Sequence, residues 1–307
     1  MRITRRALAS VVASGIATLS GRHAFSAVGG RKEVRFFYAG KAAASTRTIL
    51  ESLQARYPTA LHSLAREELV ARAGPAILVA VGPAALQALV SAELLEGTSS
   101  QIVALFVSRP TFHRLVDGRS PRGRTTGIYA EASPGSQFQL IEAIFNRRVS
   151  VAALLSDSTA YLETELQRTA ARHDVDLTTE VIAKGADVVR TLASMRRSTV
   201  LLAVPDPQIY AAETLRGVLE STYRRGQAMV GFGPELVQAG ALATTYAALD
   251  DVAAQLDALL AIIQADRLPS VDYPHYWRVS FNEQVARSLN IVIPDGARDL
   301  ARKKGDR

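Results

Sequence analysis

The chain has 307 residues, 48% hydrophobic and 21% charged, which is enough apolar material for a large core and, at this length, for two lobes in preference to one. It contains no cysteine, so a disulfide framework, thiolate metal sites and a cysteine nucleophile are all excluded. The formal charge of +7 is concentrated at the start: residues 1–26 hold four arginines and no acid, and without them the charge falls to +3.

Arg2, Arg5 and Arg6 precede an apolar run over 7–19, and Ala24-Phe25-Ser26 supplies the small residues of a cleavage site. This pattern predicts a bacterial signal peptide over 1–26 and a periplasmic mature protein. Thr4-Arg5-Arg6-Ala7-Leu8 also resembles a twin-arginine signal, without its full consensus, and the ordinary secretion route stays open. The apolar run is shorter than the ~20 residues a membrane-spanning helix needs. No lipobox cysteine follows it, so no lipoprotein anchor is expected.

Residues 33–38 read as a strand ending at Ala39-Gly40, followed by helical spacing over 45–57, a short strand over 60–64 and a helix over 67–73. A strand over 77–81 closes at Gly82-Pro83 and leads into a helix over 84–95. Residues 102–107 form another strand, ending at Ser108-Arg109-Pro110. Such βα units in series predict a parallel sheet with helices on both faces. Arg114, Arg119, Arg122 and Arg124 surround glycine and proline in a loop. They lack interleaved aromatics, so nucleic acid is not an expected partner.

The pattern then restarts. Strands are predicted over 149–155, 177–182, 199–204 and 229–232, with a polar turn at Ser156-Asp157-Ser158 and helices over 160–173, 186–195 and 211–224. An apolar helix over 250–265, a Pro-bearing segment, a strand over 277–281 and a helix over 283–289 follow. Two α/β halves predict a bilobed protein with a cleft where strands end, the place where open parallel sheets bind ligands. The expected lobes are 31–126 plus about 245–268, and 127–244 plus about 272–294, with 295–307 a solvated basic tail.

Four stretches carry a resemblance: Gly127-Ile128-Tyr129 with Gln137-Phe138-Gln139-Leu140-Ile141; Val151-Ala152-Ala153-Leu154-Leu155-Ser156; Val204-Pro205-Asp206 with Thr222-Tyr223-Arg224 and Gly231-Phe232; and Asn282 with Val285-Ala286-Arg287-Ser288-Leu289-Asn290-Ile291. In these the chain resembles the ABC-transporter substrate-binding family that includes tryptophan- and tyrosine-type binding proteins. The resemblance covers nearly the whole mature chain. It implies a type I periplasmic binding fold, in which two Rossmann-like lobes joined by a multi-crossover hinge close on an amino acid or related carboxylate. The protein would then be a monomer that delivers its ligand to an ABC permease. A sensory protein of the same fold acting on a signalling receptor is the alternative.

Within that frame Gly82, Pro83 and Ala84 occupy the first-lobe loop, although the hydroxyl residue common beside it is missing, and Ser156, Asp157 and Ser158 occupy the second-lobe equivalent. Asp206, between two prolines at a strand end, is either the partner of a ligand amino group or a turn-forming cap. Tyr38, Gly40, Ser108, Tyr129, Phe232 and Tyr246, near predicted strand ends or hinge positions, complete the expected ligand contacts, with Tyr161 a further aromatic at such a position. Many relatives carry serine after the phenylalanine, where this chain has Gly233. The five histidines have no metal-ligand spacing, and neither a Gly-x-Ser-x-Gly elbow nor a phosphate-binding loop is present. No enzymatic activity, cofactor or metal is expected.

Overall fold

A computed structural model describes residues 31–39, 44–72, 74–90, 99–120, 123–195, 197–265, 267–300 and 303–304. The predicted signal peptide lies outside the described residues.

The first sheet holds β1 (Glu33–Phe37), β2 (Leu61–Ser63), β3 (Ala76–Val81), β4 (Gln101–Val107) and β5 (Thr125–Tyr129) in the order β2-β1-β3-β4-β5, all parallel. β3 is buried along its whole length, as a central parallel strand covered on both faces must be. One face packs Leu78, Ala80, Ile102 and Ala104 under the helices Pro83–Leu89 and Arg109–Val116. The other packs Ile77, Val79, Val103 and Leu105 against Leu256, Leu260 and Ile263 of the late helix Leu249–Gln264. The period-2 alternation of the strands thus sorts their side chains between two cores.

The second sheet contains β6 (Val149–Ser156), β7 (Val175–Ile182), β8 (Val200–Leu202), β9 (Ala228–Gly231), β10 (Ala243–Tyr246), β11 (Tyr276–Phe281) and β12 (Lys303–Lys304). Its order is β12-β11-β10-β9-β8-β6-β7, with β11 antiparallel to both its neighbours and the other pairs parallel. Here too two cores form, one around Val151, Ala153 and Trp277, the other around Ala152, Leu154 and Met229.

The chain crosses between the sheets three times. It leaves after β5 into the helix Pro134–Phe145, returns after β10 into Leu249–Gln264, and leaves again into β11. On the last crossing Asp272 runs parallel beside Ile128, with Tyr129 N–H donating to its carbonyl at 2.9 Å. Lys32–Arg307 is one contact unit, and no helix among the described residues is long and apolar enough to cross a membrane.

Several expectations need correction. β5 belongs to the first sheet, so the first lobe runs past residue 126. Gly127 is what lets β5 approach β4, because a Cβ there would lie 2.3 Å from the Ala104 carbonyl oxygen. The helices Arg109–Val116 and Pro134–Phe145 and the strand β10 stand where no element was predicted. The predicted helix over 160–173 is a 3-10 turn, Ala160–Leu162, followed by Glu163–Ala170. The expected basic tail is not wholly solvated: Ala297 and Leu300 are buried in the second-lobe core and Lys303–Lys304 pairs with β11.

Candidate functional site

The C-terminal ends of the central strands of both sheets face one cavity of about 440 Å³, within the range of small-molecule pockets. The first lobe contributes Pro83, Phe106, Ser108, Thr111 and Glu131, and the second contributes Asp206, Tyr210, Phe232, Gly233 and Glu235, with Tyr246 and Ala247 at the second crossing. Phe106 sits on a β-bulge between β4 and β5 with φ +56°, a left-handed conformation that costs a non-glycine residue on the order of 1 kcal/mol. That conformation occurs in the cleft wall. Among the described residues, the lining holds three carboxylates and four aromatic rings but no lysine, arginine or histidine.

Asp206 lines the cavity and is buried, but its carboxylate is occupied by the protein itself. Oδ2 accepts from Ser156 N–H at 3.0 Å and from the Thr159 hydroxyl, and Oδ1 accepts from Gln208 N–H at 2.9 Å. Asp206 therefore ties the turn after β6 to the loop after β8, which is the capping role.

Glu131 is different. It follows β5 on the first crossing and is buried, with Oε1 accepting from Arg109 N–H at 2.8 Å and Oε2 having no hydrogen-bond partner among the described residues. Burial raises its carboxyl from the usual 4.5 to about 7, against the opposing pull of the Arg109 N–H, its own backbone N–H and the Arg109 charge. Close to neutral pH this group exchanges between acid and carboxylate. The Tyr210 hydroxyl likewise has no partner, and burial followed by the Asp206 charge raises its pKa. An unpaired buried polar atom costs about 1–3 kcal/mol, and two of them lie on this cavity. The Tyr210 ring meets Phe232 edge to face, centroids 5.9 Å apart, making an apolar wall beside these polar atoms. Among the described residues, no group of three or more His, Cys, Asp or Glu is placed to hold a metal ion.

No protein-family model matches the chain, and no curated protein matches it. Solved structures do. A conserved domain protein from Vibrio cholerae aligns over 88% of this chain and 98% of its own, with 21% identity and a TM-score of 0.59. The ABC domain in complex with L-Trp from Streptococcus pneumoniae aligns over 88% and 99%, with 17% identity and a TM-score of 0.58. The ligand-free, open structure of a substrate-binding protein with adhesive properties from Clostridium difficile aligns over 86% and 96%, with 14% identity and a TM-score of 0.60. The fold is that of the type I periplasmic binding proteins.

In this type I fold the strand-end expectations separate into two groups. Pro83, Ser108, Asp206, Phe232 and Tyr246 line the cavity. Gly82 stands just before Pro83 with φ +91°, and Ala84 is exposed on the following helix. Tyr38 is wholly buried in the first-lobe core, its hydroxyl sharing a hydrogen bond with His62 Nδ1 at 3.0 Å. Tyr129 packs edge to face on Phe112 and Tyr273, with its hydroxyl 3.2 Å from His113 Nε2. Neither ring reaches the cleft. Ser156 and Ser158 bond each other at 2.8 Å in the turn that Asp206 braces, and Asp157 points to solvent. Gly40 lies outside the described residues. Phe106, Thr111, Glu131, Tyr210 and Glu235 were not anticipated. Glu131 is a lone acid among the small residues Ala130, Ala132 and Ser133, a signal readable once the preceding five residues are recognised as a strand.

Proposed function

We propose that the chain is an exported, periplasmic solute-binding protein that holds a small amine-bearing organic ligand in the interlobe cleft and delivers it to an ABC importer. The observation carrying this reading is the buried Glu131 Oε2, without a partner among the described residues, in a cavity whose described lining holds acids and rings but no basic residue. An ammonium group there supplies the missing donor and the counter-charge, whereas a ligand with only a carboxylate meets three acids. An amino acid fits: its ammonium faces Glu131, its carboxylate turns toward Ser108 and Thr111 at the start of the helix Arg109–Val116, and its side chain lies on Tyr210 and Phe232. The amine partner proposed here is thus Glu131, with Asp206 supporting the loop behind it. The Streptococcus structure of the same fold, solved with L-Trp, is consistent with a ligand of this size and class.

Thermal unfolding of the chain from Ala27 against amino acids, simple amines, carboxylates without an amine, and sugars tests the reading, because a ligand of the folded state raises the midpoint by mass action. A rise confined to amine-bearing compounds and lost in Glu131→Gln is expected. A rise with sugars or plain carboxylates alone, or one that survives Glu131→Gln undiminished, overturns it.

A further inference from the structure

Arg109 stands at two sites at once. It opens the helix after β4 and so belongs to the first lobe. Its guanidinium pairs with the carboxylate of Glu165 on Glu163–Ala170, which follows β6 in the second lobe, and donates to the Tyr273 hydroxyl at 2.8 Å on the third crossing. The same group lies 5.7 Å from the ring centre of Tyr161 and 5.6 Å from that of Tyr273, within cation–π range of both. His113, one turn further along the helix, meets Tyr161 edge to face at 5.7 Å. One cation therefore contacts both lobes and a connecting segment. The pair is partly screened from water, with the two side chains 20% and 33% exposed, so it is worth more than a fully exposed ion pair. The backbone N–H of this same residue is the donor that holds Glu131 Oε1.

We propose that Arg109 is a positioning residue that sets the opening of the lobes: its side chain clamps the second lobe, while its backbone fixes the carboxylate that faces the cleft. Opening the lobes pulls Glu165 away from the guanidinium and releases the residue that orients Glu131. A cation arriving at Glu131 fixes its charged form, which accepts more strongly from Arg109 N–H and so favours the clamped arrangement. By reciprocity, a broken clamp weakens capture by the same factor that capture strengthens the clamp. The link to capture rests on the amine-binding reading of the cleft; the clamp itself does not.

The absence of native cysteine allows a direct test. Gln87→Cys in the first lobe and Asp157→Cys in the second, both at exposed positions, take a pair of spin labels, and the distance between them reports lobe opening without any ligand. Arg109→Gln and Glu165→Gln should each shift the distribution to longer distances and broaden it. The double variant should go no further than either single one, and Arg109→Lys should recover part of the shift. Distributions identical to the parent in both single variants overturn the proposal, and Glu165→Gln decides the matter if Arg109→Gln does not fold. A shift in these variants with no amine-induced rise in the unfolding midpoint leaves the clamp standing and refutes the amine reading. An amine-induced rise with unmoved distances does the opposite.

Discussion

Glu131→Gln has a consequence for stability that can be read without knowing the ligand. In the folded chain the carboxyl is raised from 4.5 to about 7, so between those limits the native state holds a proton that the unfolded chain has lost. Stability from this group is fully present below the unfolded value and declines as pH rises, and the loss is complete just above the folded value. At about 1.36 kcal/mol per pK unit, the displacement is worth about 3 kcal/mol. Gln keeps a carbonyl oxygen to accept from Arg109 N–H but cannot ionise, so its stability carries no such slope. Whatever constant cost its unpaired amide brings cancels when variant and parent are compared at two pH values. The variant should therefore gain about 3 kcal/mol on the parent between about pH 4 and about pH 8, roughly 5 °C in the midpoint for a chain of this size. Thermal unfolding of both proteins in matched buffers measures it. A midpoint difference that is the same at both ends of the range would falsify the claim that this carboxyl is desolvated, and with it the argument for Glu131 as the cleft's charge receptor.

Asp206→Ala should destabilise the second lobe by about 2–4 kcal/mol, since it strips acceptors from Thr159 and Gln208 and one of two from Ser156 N–H; a urea-unfolding loss below about 1 kcal/mol would show that these bonds do not brace the loop. Gly127→Ala places a Cβ against the Ala104 carbonyl and should cost about 1–3 kcal/mol by prising β5 from β4. Hydrogen exchange of the Ala130 amide, which donates to the Val107 carbonyl of β4 at 3.0 Å, should quicken in that variant, and unchanged protection would show that the two strands have room to separate.

The elements readable from sequence are those whose burial is lopsided or complete. β3 is an unbroken apolar run, and β6 is one from Val151 to Leu155, because both faces are covered, and Leu249–Gln264 is long enough to show its apolar stripe. What escaped was short or punctuated. β5 contains Gly127, chosen for its closeness to β4 and not for strand propensity, and β10 has only four residues. The helix Arg109–Val116 begins with Arg-Pro and is only two turns long, so its apolar stripe of Phe112, Leu115 and Val116 has no room to repeat. Pro134–Phe145 did announce itself, with Ser133 capping and proline in the first turn, a start signal that sequence reading passed over.

The same reasoning explains which site residues were legible. A residue after a strand end can face the cleft or the layer of helices, and the pleat decides which. Tyr38 and Tyr129 stand at strand ends as surely as Phe232 does, yet their rings are directed into the two first-lobe cores while Phe232 is directed into the cavity. Strand ends alone therefore over-select aromatics. Glu131 escaped because its strand escaped: without β5, residues 130–134 are an ordinary small-residue loop, and only the end of β5 brings its carboxylate beneath the Arg109 amide. The first crossing thus carries the buried carboxyl proposed to receive an amine, and the residue that holds this group also holds the opposite lobe. On that proposal the cleft ties guest recognition to lobe geometry through one residue. Replacing Arg109 should consequently alter affinity and lobe opening together, whereas replacing Asp206 should alter stability first.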